Sequence, residues 1–306
     1  MNLAEYLDQE AGIRPAVHFH AGIWWRKTSP GGCQPLYTLQ EIPPGSARPS
    51  PGRSFIRYSH VVPAADAAQA QRTRPRLVIQ DDRLKNYSLQ GLADRKRRQA
   101  INKAVRTGIR IDLIRDLEQH RRDLLEIYVS NAARNRHGLP EQWYLEHEEE
   151  WWRNLAREFA LAHREWFGAF QGDKLVAFLY VSLVEDTVLM RVAKANKAFL
   201  VSDPNDLLWF EMIQFYQKNP ACRRIDAGWA IHVPPTIDWR KRSMGFEAVE
   251  LPIYDRTNPV ALGLIRAGLA VVRPFLGAAD SEANRGWRFK AKVIQKRLDD
   301  LCRGAD

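Results

Sequence analysis

The sequence predicts an α+β fold, a mixed but mostly antiparallel sheet joined by helices that cross over it. Residues 165–195, "EWFGAFQGDKLVAFLYVSLVEDTVLMRVAKA", switch from helical period to period two. They read as three antiparallel strands turning at Gln171-Gly172-Asp173 and Glu185-Asp186. Helical periodicity flanks this run on both sides. From 110 to 255 the order is β, α, α, three strands, α, β, α, β. A helix between the strands at 187–195 and 223–229 makes those two strands parallel neighbours. Such a pair can splay, and the N-terminus of the intervening helix then faces the gap.

The elements follow in order. "AVHFHAGIWW" (16–25) is β-branched and aromatic and reads as one strand. "EIPPGSARPSPGR" (41–53) is a loop rich in Pro, Gly and Ser. "SFIRYSHVV" (54–62) is a strand, "AADAAQAQRTR" a short helix and "PRLVIQ" a short strand. "GLADRKRRQAINKAVRTG" (91–108) is a helix with Ala93, Ala100, Ile101, Ala104 and Val105 on one face, ended by Gly108. The extended "IRIDLI" follows. Helices are expected over 116–135 and 141–163, the second carrying Trp143, Trp151, Trp152, Leu155 and Phe159. After the three strands, a helix runs from about Asp206 to Lys218. "RRIDAGW" is a buried strand, "PPTIDWRKRSMG" a short helix ending at Gly245, and "FEAVELPIYD" a final strand. Helical stretches at 258–277 and 284–303 close the chain. The first of these is apolar nearly all round, which suits packing on a sheet, a dimer interface or contact with a membrane surface.

The 306 residues suffice for a real core, and 45% apolar with 27% charged residues is a globular profile. No basic start followed by an apolar run marks a leader, and no uncharged apolar run reaches about 18 residues. Cys33, Cys222 and Cys302 are far apart, which excludes a disulfide framework and points to a reducing, cytoplasmic setting. The net charge is +10, and residues 71–110 hold twelve Lys/Arg against Asp81, Asp82 and Asp94. That concentration attracts anions. His18 and His20 share a strand face, but nothing supplies a third ligand, so no metal is expected. Walker, Rossmann and GxSxG signatures are absent.

The order of elements resembles the GNAT acyltransferase fold. "FGAFQGDKLVAFLYVSL" is similar to that superfamily's strand pair. "SDPNDLLWFEMIQFYQKN" followed by "RRIDAGW", and "WRKRSMGFEAVELPIYDR" with a Lys shortly before a Gly, resemble its FemAB-like branch. "RRQAINKAVRTGIRIDLI" resembles the basic helix before the second lobe of Fem-type transferases. The resemblance covers about 54–256. It implies tandem GNAT-like lobes: a degraded N-terminal lobe over 1–110, an acyltransferase lobe over 111–256, and a helical extension over 257–306. It also implies transfer of an acyl group from an activated donor to an amine in cell-envelope, polysaccharide or lipid biosynthesis. Acyl-CoA is favoured over aminoacyl-tRNA, because the long coiled-coil arm of several Fem proteins is missing. The acceptor would be a small-molecule amine or an envelope precursor, and the protein would be cytoplasmic or peripheral to the inner face of the membrane through 258–303. The rival reading is a non-catalytic GNAT-like module that binds an anionic partner through 71–110. An RNA-binding role has less support, since no stacking motif accompanies the patch.

Amine acylation needs proton removal, oxyanion stabilisation, leaving-group protonation and positioning. Asp226 stands where the family has a cleft-facing carboxylate, and is either a base or a hydrogen-bonded structural residue. His232 is a second candidate base. Lys241, four residues before Gly245, matches the family Lys and either serves the donor or lies in an exposed basic turn. Tyr254 either protonates the leaving group or packs half-buried. Arg191 and Arg240 are candidates for an anionic substrate. Ser202 or Asp203 can cap the helix that follows, with Pro204 in its first turn. The donor-binding set is then Ser202, Asn205, Asp206, Leu207 and Leu208, acting through backbone amides. The family's usual glycine-rich signature is missing there, and Asp203 and Asp206 would repel a pyrophosphate.

Overall fold

The computed structural model describes residues 1–14, 17–28, 32–46, 57–132, 139–230 and 235–257. The helical stretches expected at 258–277 and 284–303 lie outside them, as do Cys302 and the candidate base His232. The chain forms two compact units, one of Met1–Ile13 with Arg74–Glu250 and one of Arg14–Thr73 with Leu251–Asp306.

In chain order, α1 (Leu3–Ile13) belongs to the first unit. β1 (Val17–His20), β2 (Ile23–Thr28), β3 (Gly32–Pro35) and β4 (Arg57–Val61) belong to the second. β5 (Arg72–Gln80), α2 (Asp81–Lys85), α3 (Arg95–Arg106) and β6 (Ile109–Leu113) follow. Next come α4 (Arg121–Ala132), α5 (Glu141–Glu146), α6 (Glu148–Phe159), and the strands β7 (Arg164–Gln171), β8 (Lys174–Val184) and β9 (Thr187–Ala195). α7 (Pro204–Gln217), β10 (Arg224–Trp229), α8 (Pro235–Ser243) and β11 (Glu247–Thr257) complete the described residues.

The architecture is α+β, with mostly antiparallel sheets. In the second unit β1, β2 and β3 pair antiparallel, β3 and β4 pair parallel, and β4 pairs antiparallel with β11. The single strand expected over 16–25 is a hairpin. Ala21 and Gly22 both take positive φ, 51° and 76°, the geometry of a tight two-residue turn. Aromatic content hid the turn, because only Gly22 announces it.

The first unit holds the run β5-β10-β9-β8-β7-β6. Its strands pair antiparallel except β10 and β9, which run parallel as their helical crossover requires. One face is covered by α3 and α7. Ile101 and Ala104 meet Leu207, Leu208, Met212 and Ile213 there, over Ala177, Leu179 and Val181 of β8. The other face is covered by α4 and α6, where Leu124, Ile127, Trp151, Trp152 and Leu155 pack on Trp166, Phe170, Phe178 and Tyr180. The tryptophan pair 151–152 is therefore core.

Local chemistry explains several boundaries. Asp94 accepts the Lys96 and Arg97 amides and starts α3, a cap worth about 1 kcal/mol. Gly108, with φ 79°, ends it. The face expected for this helix is rotated: Ile101 and Ala104 are buried, but Val105 is exposed. The helix expected over 116–135 divides into a 3-10 turn, Glu118–His120, and α4. The one expected over 141–163 breaks at His147, whose backbone leaves the helical region at φ −120° and ψ 34°.

Candidate functional site

β9 and β10 stay in register only from Arg224↔Thr187 to Asp226↔Leu189. Beyond Leu189, β9 pairs with β8 alone, and β10 bulges between Asp226 and Trp229. The expected splay is present, and it opens at Asp226. The Asp226 carboxylate, 1% exposed, accepts Arg76 Nε of β5 on Oδ2 and the Gly228 amide on Oδ1 at 2.6 Å. Both oxygens are engaged, and the Asp226 carboxylate holds Arg76 and the Gly228 turn in place. Gly228 makes this turn with φ 84°, which favours glycine. The Arg74 and Arg76 guanidiniums each lie 4.7 Å from the centroid of the Trp229 ring.

Lys241 is not in an exposed turn. It is buried, 7% exposed, because α8 presents it inward while its carbonyl accepts the amides of Met244 and Phe246. Burial pushes its pKa down, against the pull of Asp238 and Asp226. A buried lysine of this kind gives up its proton more readily than a solvated one.

At the start of α7, the cap differs from the expected one. Asp203 is the N-cap residue but is left-handed (φ 52°), and its side chain caps nothing. Its carboxylate instead meets Lys103 at 3.4 Å. Pro204 has no N–H, and the Asp206 amide turns back to the Asp203 carbonyl at 3.1 Å. Fewer amides are free than the sequence suggested. Ser202, Leu207 and Leu208 are buried.

Positive charge at this helix start comes from side chains instead. The buried Asp206 carboxylate is held by Arg97 of α3 on Oδ2 and by Arg240 of α8 at 2.5 Å on Oδ1. The repulsion expected from Asp206 is thus neutralised twice over. Trp239 lies against Arg97 (5.0 Å) and Trp209 against Arg240 (5.6 Å). The Nε groups of Arg97 and Arg240, the Trp209 Nε1 and the Asn205 Oδ1 are buried without a hydrogen-bond partner among the described residues. Three unpartnered donors and one acceptor around one carboxylate is a costly arrangement that a ligand would repair.

The other expected residues go elsewhere. Arg191 of β9 meets a counter-ion within the chain, Glu10 of α1 at 3.3 Å, which also takes Arg164 at 2.6 Å and His163 at 3.1 Å. Tyr254 belongs to the second unit, its ring centroid 5.2 Å from that of His60 and 6.4 Å from that of Tyr58. Cys222 is buried, and burial raises its thiol to about 11, which leaves it unreactive.

Sequence reading missed Arg76, Arg97, Trp229 and Trp239. Arg97 left a signal: it stands four residues before Ile101 and seven before Ala104, on the buried face of α3. Arg76 left none, since its partner is 150 residues away.

Residues 93–232 match a family model described as an acetyltransferase (GNAT) domain. No curated protein matches the chain. Among solved structures, FemX is similar over 86% of this chain and 93% of its own, with a TM-score of 0.56 at 9% identity. The L-PGS from Bacillus licheniformis aligns over 86% and 91%, with a TM-score of 0.51 at 9% identity. The C-terminal domain of a putative lysylphosphatidylglycerol synthetase from Agrobacterium fabrum aligns over 87% and 96%, with a TM-score of 0.50 at 11% identity. At these identities the likeness is one of fold. Among the described residues, no helix is long and apolar enough to cross a membrane.

Proposed function

From a chain whose residues 93–232 match a family model described as an acetyltransferase (GNAT) domain, we propose an N-acyltransferase that moves an acyl group from acyl-CoA to an amine acceptor in envelope or lipid biosynthesis. One observation carries the donor side: the unpartnered guanidinium and indole donors gathered at the α7 start, beside the splay of β9 and β10.

An acyl thioester offers a carbonyl carbon that an amine attacks directly, with no covalent link to the protein. The amine nitrogen bonds to that carbon, the carbon–sulfur bond breaks, and the proton shed by nitrogen ends on sulfur. Arg97 and Arg240 hold donor phosphate as charge-assisted partners, replacing the amides that Pro204 and the Asp203 turn withdraw. Lys241, with its pKa lowered by burial, relays that proton: it gives its own to the leaving sulfur and takes up the one shed by the amine nitrogen. The Asp226–Arg76 pair fixes the polar ground beside it. Loss of one such donor costs about 2–4 kcal/mol of barrier.

The test is calorimetric titration with acetyl-CoA, a long-chain acyl-CoA and CoA at two salt concentrations, with thiol release followed against a panel of amines. Saturable binding weakened by Arg97→Gln and Arg240→Gln supports the reading. Binding of charged tRNA and of no thioester would replace the donor. Salt-steep binding of anions through 71–110 without turnover would establish the non-catalytic module.

A further inference from the structure

The splay has a second side. Phe178 of β8 and Lys194 of β9 are directly opposed, so both side chains stand on the sheet face covered by α4 and α6. Val192 shares that face with Lys194, and both belong to the stretch of β9 that has left β10. The donor-side cluster at the α7 start stands with α3 and α7 on the opposite face. Lys194 is therefore across the sheet from the donor residues, at the same opening.

Its surroundings are aromatic. The Lys194 ammonium lies 4.7 Å from the Tyr128 ring centroid. Tyr128 in turn stacks on Phe178 at 5.8 Å and packs against Tyr144 at 5.6 Å. α4 is held to the end of β9 by Asn131, whose amide donates to the Ala195 carbonyl at 2.6 Å, and by Ser130, which accepts the Lys197 amide at 3.2 Å. The wall that carries Tyr128 is thus fixed to the strand that carries Lys194. Lys194 is half-buried, and burial lowers its pKa. Among the described residues, no carboxylate lies within ion-pair distance of it, although lysines elsewhere on this unit find acids, Lys174 with Glu126 and Lys103 with Asp203. Residues 133–138, between α4 and α5, contain no acidic side chain. A partly desolvated cation held over a ring, with no counter-ion among the described residues and beside an opening, is arranged to receive an anion.

We propose that Lys194 recognises an anionic group, a carboxylate or a phosphate, carried by the amine acceptor. This rests on the acyl-transfer reading, since it places the acceptor on the α4 side of the splay while the donor takes the α7 side. Tyr128 and Tyr144 line the acceptor's path, and Lys194 selects amines with a neighbouring negative charge over their neutral counterparts.

The test uses two matched pairs, glycine against glycinamide and glucosamine 6-phosphate against glucosamine. Protein labelled with carbon-13 at lysine Cε is titrated with each amine, and the Lys194 resonance is assigned by its loss in Lys194→Gln and in Lys194→Arg. A saturable shift with glycine, with glucosamine 6-phosphate or with both, and none with the neutral partners, is expected. Which member acts separates carboxylate from phosphate. In turnover with acetyl-CoA, the anionic member should have a kcat/KM higher by roughly tenfold or more. Lys194→Gln should remove that preference by raising KM for the anionic member, and leave acetyl-CoA affinity unchanged. A Lys194 resonance indifferent to all four amines overturns the proposal, as does a charge preference that survives Lys194→Gln. Turnover without preference leaves acyl transfer standing and removes Lys194. A Lys194 shift without turnover does the reverse.

Discussion

Asp226→Asn separates a holding role from a proton-transfer role. Asp226 and Arg76 have side-chain exposures of 0% and 6%. Asparagine keeps the volume, and its carbonyl oxygen can still accept the Gly228 amide. Its amide nitrogen would face the Arg76 Nε–H, donor against donor, and the guanidinium would lose its carboxylate. Removing one partner of a buried pair costs about 3–5 kcal/mol. Arg76 keeps the face of Trp229 at 4.7 Å, a contact worth about 0.5–2 kcal/mol. The lower end of the range, about 3 kcal/mol, is therefore expected, or roughly 6–12 °C in Tm. Urea unfolding followed by circular dichroism measures it. The double variant Asp226→Leu with Arg76→Met removes both charges and should recover most of the loss, because apolar replacement of a buried pair is often neutral. An Asp226→Asn protein within about 0.5 kcal/mol of the parent would refute the argument. If its turnover also collapsed, Asp226 would return as the base.

Three further outcomes follow from the same ion pairs. Asp206→Asn takes the counter-charge from Arg97 and Arg240; it should cost about 2–3 kcal/mol, discounted because Arg240 is one-third exposed. It should also tighten pyrophosphate binding by calorimetry, and weaker binding would contradict the cluster described above. Lys241 has a folded-state pKa below its unfolded value, so the unfolded chain binds more protons between the two. Stability should rise as pH climbs from the folded pKa toward about 10.4, and Lys241→Met should flatten that rise in urea midpoints compared at pH 7 and 10. Glu10→Gln deprives Arg164, Arg191 and His163 of a shared, fully buried carboxylate; a loss of about 3–5 kcal/mol is expected, and an unchanged thermal midpoint would show that α1 is held by other contacts.

Some of this was legible in the residues alone. The run at 165–195 declares three strands through alternation and turn chemistry, both of which act over a few residues. Gly108 marks the end of α3 for the same reason, whereas the Asp94 cap was not read and the helix begins at Arg95 rather than near 91. The hairpin at Ala21-Gly22 was missed because alanine rarely takes a positive φ, which left Gly22 as its one signal. The break at His147 was missed because apolar spacing continues through it, with Trp143 and Trp151 two turns apart.

The sequence by itself determined the α+β class, the parallel placement of β9 and β10, and a charge surplus concentrated in 71–110. Each follows from periodicity, connection length or counting, which are properties of neighbouring residues. Only the tertiary structure decided which of those charges would be spent. It gave Asp226 to Arg76 and Asp206 to Arg97 and Arg240, turned Arg191 inward to Glu10, buried Lys241, and left Lys194 over Tyr128. Ion-pair partners are chosen by chain crossings that bring together residues as far as 183 positions apart. The energy of each choice comes from burial that exists only once the sheet and its helices have closed around them.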